Sequence, residues 1–179
     1  SGWHGAGVWR RTGGEWAVSK GPFEGAEQLW SLCLDRDRIL AGSKPAYLYE
    51  SRDGGAAWQR LDALTDQPGA DQWMPGAAGL TLHTILSDQK GGVWVGISAA
   101  GVFESRDGGQ SWTQRNRRGN RPGPAGALPR DWGEGEFRRE DEIFSCVHNL
   151  AFGAEPGVIW MQNHQGVYRS RDGGAVWEE

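Results

Sequence analysis

Ser51-Arg52-Asp53-Gly54-Gly55-Ala56-Ala57-Trp58 decides the fold, because it returns as Ser105-Arg106-Asp107-Gly108-Gly109-Gln110-Ser111-Trp112 and again as Ser170-Arg171-Asp172-Gly173-Gly174-Ala175-Val176-Trp177. Its chemistry is that of a tight turn. The aspartate accepts backbone N–H bonds within its own loop, the paired glycines supply positive φ, and the tryptophan packs back onto a sheet. Asp53, Asp107 and Asp172 are therefore read as turn staples, not as catalytic or calcium-binding groups. Working upstream from each octet, the same order recurs: an apolar stretch such as Leu82-His83-Thr84-Ile85-Leu86, a second such as Val93-Trp94-Val95, and a third such as Gly101-Val102-Phe103-Glu104. Short apolar runs bounded by turn residues read as strands, so the octet turns a third strand into a fourth.

Four antiparallel strands repeated along a chain predict an all-β β-propeller of four-stranded blades. The copies span about 29–61, 82–115 and 147–179, and a worn half blade lies in 2–19, where Gly7-Val8-Trp9-Arg10-Arg11-Thr12-Gly13-Gly14-Glu15-Trp16 matches Gly101 through Trp112 with a shortened turn and no aspartate. Residues 1–179 thus read as a single partial propeller domain of about three and a half blades. An open arc leaves sheet faces and a blade edge uncovered, so the expectation is a homo-oligomer or a part of a longer propeller.

Composition agrees with this reading. The 29 glycines and 11 tryptophans describe many short strands packed by indoles. A net charge of −4, from 19 Lys and Arg against 23 Asp and Glu, gives no electrostatic footprint for nucleic acid or an anionic membrane. No apolar run is long enough for a membrane-spanning helix. Cys33 and Cys146 are expected to be free, buried thiols, which suits a reducing compartment. Ser1-Gly2-Trp3-His4 carries no secretory signal, and a cytoplasmic location is the expectation.

Outside the octets, the chain carries Gly21-Pro22-Phe23-Glu24-Gly25, Gln72-Trp73-Met74-Pro75-Gly76-Ala77-Ala78-Gly79-Leu80, Cys146-Val147-His148-Asn149-Leu150 and Gln162-Asn163-His164-Gln165-Gly166-Val167-Tyr168. With the octets, these segments resemble the bacterial Asp-box proteins of the BNR-repeat, sialidase-like or YVTN-type glycosyl hydrolase kind. The resemblance covers nearly the whole chain. It implies a six- to eight-bladed propeller in the complete member, an intracellular protein and a carbohydrate-active hydrolase. The sialidase catalytic motif is not found: Phe137-Arg138-Arg139-Glu140 lacks the Ile-Pro of that pattern, and Arg52, Arg106 and Arg171 belong to the octet turns.

In a propeller the octet turns occupy one rim, and the connections before the first strand and between the second and third occupy the other. Variable loops on a rigid scaffold collect binding groups, so the site is expected on the rim opposite the octets. His83 and His148 share one register near the start of the first strand, His164 lies between the second and third strands, and His4 falls near the equivalent place in the half blade. Either these imidazoles bind a ligand or a divalent metal, or they hydrogen-bond to neighbouring backbone. Gln162, Asn163 and Trp73 add amides and an indole of the kind that read sugars, with a plug that packs its loop onto the blade as the other role for Trp73. Glycoside hydrolysis needs two carboxyls flanking one bond. Glu140 and Asp141, in the long polar stretch 113–145, are the catalytic candidates, beside Glu142 and Asp71. Two functions follow: a carbohydrate-active hydrolase, or a non-catalytic propeller that binds a protein or glycan partner, or another small polar ligand, through this rim.

Overall fold

The computed structural model describes residues 7–19, 21, 23, 25–76, 79–116 and 146–179. Thirteen strands and two short 3-10 turns are found among them. A hairpin, β1 (Val8–Thr12) and β2 (Glu15–Ser19), turns on Gly13 and Gly14, whose φ angles of 60° and 91° suit a two-residue reversal. Two four-stranded antiparallel sheets follow: β3 (Gln28–Asp35), β4 (Arg38–Lys44), β5 (Leu48–Ser51), β6 (Gln59–Arg60); and β7 (Leu82–Ser87), β8 (Val93–Ile97), β9 (Gly101–Ser105), β10 (Thr113–Gln114). A third sheet holds β11 (Asn149–Phe152), β12 (Ile159–Asn163) and β13 (Gly166–Ser170). Its fourth strand, expected from the repeat, is reduced to one bridge between Arg169 and Glu178.

The inner strands β3, β7 and β11 adjoin one another in that order, so the sheets stand as successive blades of a β-propeller arc. Two glycines set their spacing. A Cβ on Gly42 of β4 would come within 2.5 Å of the Leu82 side chain, and one on Gly96 of β8 within 2.5 Å of Val147. The following blade therefore seats its inner strand against a bare backbone. Three apolar cores fill the gaps: Val8, Phe23, Tyr49 and Trp58 between the hairpin and the first full blade, Leu40, Leu82, Val95 and Phe103 between the two four-stranded blades, and Val102, Val147, Met161 and Trp177 beyond them.

Strands β8 and β9 are buried at every position because both faces of their blade are covered. The outward faces of the end sheets are not, and Trp9, Trp16 and Val167 are each more than half exposed, as is Leu34 on the inner strand β3. Cys146 is buried and Cys33 half-buried, and both are free thiols. Among the described residues no helix is long and apolar enough to cross a membrane.

The octets close the outer turns as their chemistry requires. Ser51 Oγ donates to Asp53 Oδ1 and accepts from Gly55 N–H, both at 2.8 Å, while Asp53 also accepts the Ala56 and Ala57 N–H groups. The pattern repeats at Ser105, Asp107 and Gly109 and at Ser170, Asp172 and Gly174. The Ala57 N–H bond and the Ser51 hydroxyl hold the Asp53 carboxyl below its usual range, and the Ser111 hydroxyl and N–H do the same for Asp107.

Each full blade also grips the next octet turn. Arg38 Nη1 donates to Gly108 O at 2.8 Å, and Trp94 Nε1 donates to Gly173 O at 2.9 Å. Arg38 is buried between Asp35 at 2.7 Å and Glu50 at 2.8 Å. Burial would raise the Glu50 carboxyl, but hydrogen bonds from Arg38, Gln59 and Arg52 bring it below its ordinary value. Removing one member of a buried charge cluster leaves the others uncompensated. Arg38→Met should lower the unfolding free energy by about 3–5 kcal/mol in urea titration, whereas a loss below about 1 kcal/mol, the range of a surface pair, would contradict the role given to Arg38.

Candidate functional site

The rim opposite the octet turns is built by repetition. Each blade places one residue near the start of its inner strand and one just past the end of its second strand at the same end of the arc. In β3 and β7 the first position is a bulge: the pairing register slips between Leu29 and Ser31 and between Leu82 and Thr84. A bulge re-aims the extra side chain, and the extra residues are Trp30 and His83. His148, just ahead of β11, takes the equivalent place and donates its N–H to Gln162 O at 2.9 Å.

Four rings from three blades form a continuous row. The Trp30 and His83 centroids lie 5.6 Å apart in an edge-to-face contact, His83 and His148 lie 4.9 Å apart, and His148 and His164 lie 4.5 Å apart with planes inclined by 30°. His83 Nε2 shares a hydrogen bond with Ser98 Oγ at 2.8 Å. His148 Nε2 is buried without a hydrogen-bond partner, as is Asn163 Nδ2. The Asn163 carbonyl is committed, since Oδ1 accepts the Gln165 and Gly166 N–H groups at 2.8 and 3.1 Å and closes the β12–β13 turn.

The three histidines named from the sequence are thus brought together, and Asn163 precedes His164 at the end of β12. Other expectations fare differently. Trp73 lies against Phe103, with centroids 5.0 Å apart, and packs partly buried on the interblade core. Asp71 is exposed in a 3-10 turn. His4, Glu140, Asp141 and Glu142 lie outside the described residues. A divalent metal at His83, His148 and His164 is a further expectation; among the described residues no group of three or more His, Cys, Asp or Glu is placed to hold a metal ion.

Three residues of the rim escaped the sequence reading. Trp30 sits in the register of His83 and His148, and Lys44 and Ser98 sit in the register of His164. Aligning Leu29-Trp30-Ser31 with Leu82-His83-Thr84 supplies the missing signal.

No family model matches the chain, and no curated protein matches it. Solved structures do. A structure of YCF48 bound to D1 peptide aligns at a TM-score of 0.53 with 21% identity over 84% of this chain and 40% of its own. YCF48 from Cyanidioschyzon merolae aligns at 0.52 with 18% identity, over 84% of this chain and 38% of that one. The Niastella koreensis GH74 enzyme aligns at 0.50 with 17% identity, over 93% of this chain and 21% of the enzyme. The chain therefore spans about two fifths of the YCF48 structures it matches and about a fifth of the GH74 enzyme. Likeness at this identity establishes the β-propeller fold; sialidase-like membership is not among the findings.

The electrostatics of the row follow from its packing. Burial pushes the His83 imidazole down to about 4, with His148 and His164 adding to the effect, and burial followed by His164 also lowers His148. The unfolded chain takes up a proton at His83 as pH falls through about 6.5, but the folded chain does so only near 4. Unfolding therefore binds protons in that window, and stability is full above pH 6.5 and declines as pH falls towards 4. Discounted for solvent at this half-buried ring, the loss amounts to about 1–2 kcal/mol. Urea midpoints measured from pH 7.5 to 4.5 should fall accordingly, and His83→Gln should flatten the decline. An equal slope in both proteins would contradict a neutral, half-buried His83.

Proposed function

We propose that this chain is part of a ligand-binding β-propeller whose recognition surface is the ring row at the axial mouth, with a protein or glycan segment as its partner. The observation that carries this reading is the contiguity of Trp30, His83, His148 and His164, contributed by three separate blades. A single blade gains nothing from exposing such rings. Together they offer apolar ring surface beside polar groups from Ser98 and Asn163, a combination typical of binding sites that need both contact area and orientation.

YCF48 bound to D1 peptide and the GH74 enzyme have the same fold, but the choice between partner binding and sugar hydrolysis rests on the row itself. Catalysis of glycoside hydrolysis requires a pair of carboxyl groups on either side of the bond, and the rings, Ser98 and Asn163 contain none. The hydrolase reading places that pair in Glu140 and Asp141.

Peptide and glycan arrays probed with the 179-residue chain test the proposal. Trp30→Ala and His164→Ala should each weaken capture at least about tenfold, the effect of losing about 1.4 kcal/mol at a binding hot spot, while Arg171→Ala on the opposite rim should stay within about twofold. Turnover on a glycoside panel that disappears in Glu140→Gln and Asp141→Asn at unchanged melting temperature would move the assignment to the hydrolase.

A further inference from the structure

The charge and donor inventory of the rim says more about the ligand. Asn163 Nδ2 is a donor only, buried and without a partner, and its orientation is fixed by the two N–H groups that its carbonyl caps. His148 Nε2, in the ring that packs on His164, is equally orphaned. A buried polar atom without a partner costs free energy and calls for an explanation. An acceptor oxygen brought by a ligand satisfies Asn163 outright and satisfies His148 when its Nε2 carries a proton.

The charged groups described around the row are the imidazoles and Lys44, with the carboxylates of Glu27 and Glu179 at its edges, the latter 4.0 Å from where a Gly166 Cβ would stand. From β7, the stretch before β11 and the β12–β13 turn come His83, His148 and His164; the β8–β9 connection contributes the neutral Ser98; β3 contributes Trp30; and the buried Cys146 thiol adjoins Gly76 of the connecting loop. The end of β4 contributes Lys44, paired at 3.7 Å with the mostly exposed Glu27. No carboxylate among the described residues acts on His83 or His148, and only other imidazoles do. A proton taken up by His83 or His148 therefore adds a positive charge that no described carboxylate offsets.

We propose that the axial mouth is a carboxylate site, in which Asn163 Nδ2 and the protonated imidazoles of His148 and its neighbours grip the carboxylate of a ligand while Trp30 flanks its apolar part. This rests on the axial-mouth reading above and names the ligand class. Binding is coupled to proton uptake, because the anion supplies the charge that the row lacks, so affinity rises as the imidazoles become protonated on acidification.

Histidine ring and tryptophan indole NMR signals of the 179-residue chain, titrated with phenylacetate and with the neutral isostere phenylacetamide, test it. Phenylacetate should move the signals of His83, His148, His164 and Trp30, raise the His148 titration midpoint, and bind at least about tenfold tighter at pH 5.5 than at pH 7.5, the effect of one pKa unit. Phenylacetamide at equal concentration should do none of this. Asn163→Asp keeps the turn-capping oxygen but puts a second anion where the donor was. It should lose phenylacetate while the Gln165 and Gly166 amide signals stay in place. Equal binding of the amide, affinity independent of pH, or undiminished binding by Asn163→Asp would overturn the carboxylate site and leave the axial-mouth reading standing. Rings that respond to neither probe, nor to any captured peptide or glycan, would end both.

Discussion

Gly42 and Gly96 govern how closely one blade approaches the next. Because neither carries a Cβ, Leu82 and Val147 press directly on the second strand of the preceding blade. The residue after each of these is a histidine, His83 and His148, so the contact that sets blade spacing also sets the distance between the rings at the mouth. Interiors packed to this density transmit a change of even one methylene, which ties the site to the scaffold without any dedicated support.

At the other rim the octet turns keep that spacing from drifting. Serine hydroxyl, aspartate and glycine N–H close each loop on itself, leaving a backbone carbonyl free to accept from the neighbouring blade. The grip is chemically uneven, a buried guanidinium between two carboxylates at one joint and an indole at the next. The turns spend their serine hydroxyls and aspartates on their own backbone, and the opposite rim holds the unpartnered His148 Nε2 and Asn163 Nδ2.

Much of this was legible in the sequence. The octets announce their geometry because every residue type in them has one local use, and the strands upstream repeat in order. The shared register of His83 and His148, with His164 nearby, placed three of the four rings. Trp30 was hidden because a tryptophan in an apolar strand reads as core, and only the bulge after Leu29 turns it towards the axis. Trp73 was ambiguous for the converse reason: a loop indole can stack on a ligand or on its own scaffold, and here it packs against Phe103. Reduction of the last strand to the Arg169–Glu178 bridge left no mark on the repeat, since the octet before it is intact.

The central claim is that three blades deliver one continuous row of rings. Nuclear Overhauser contacts between the Trp30 indole and the His83 ring, and between the His83, His148 and His164 rings, measure it directly in protein labelled at histidine and tryptophan. The account predicts all three inter-ring contacts, at centroid separations of 5.6, 4.9 and 4.5 Å. Their absence in the folded chain would mean that the blades do not converge at this mouth, and the site built on that convergence would be wrong.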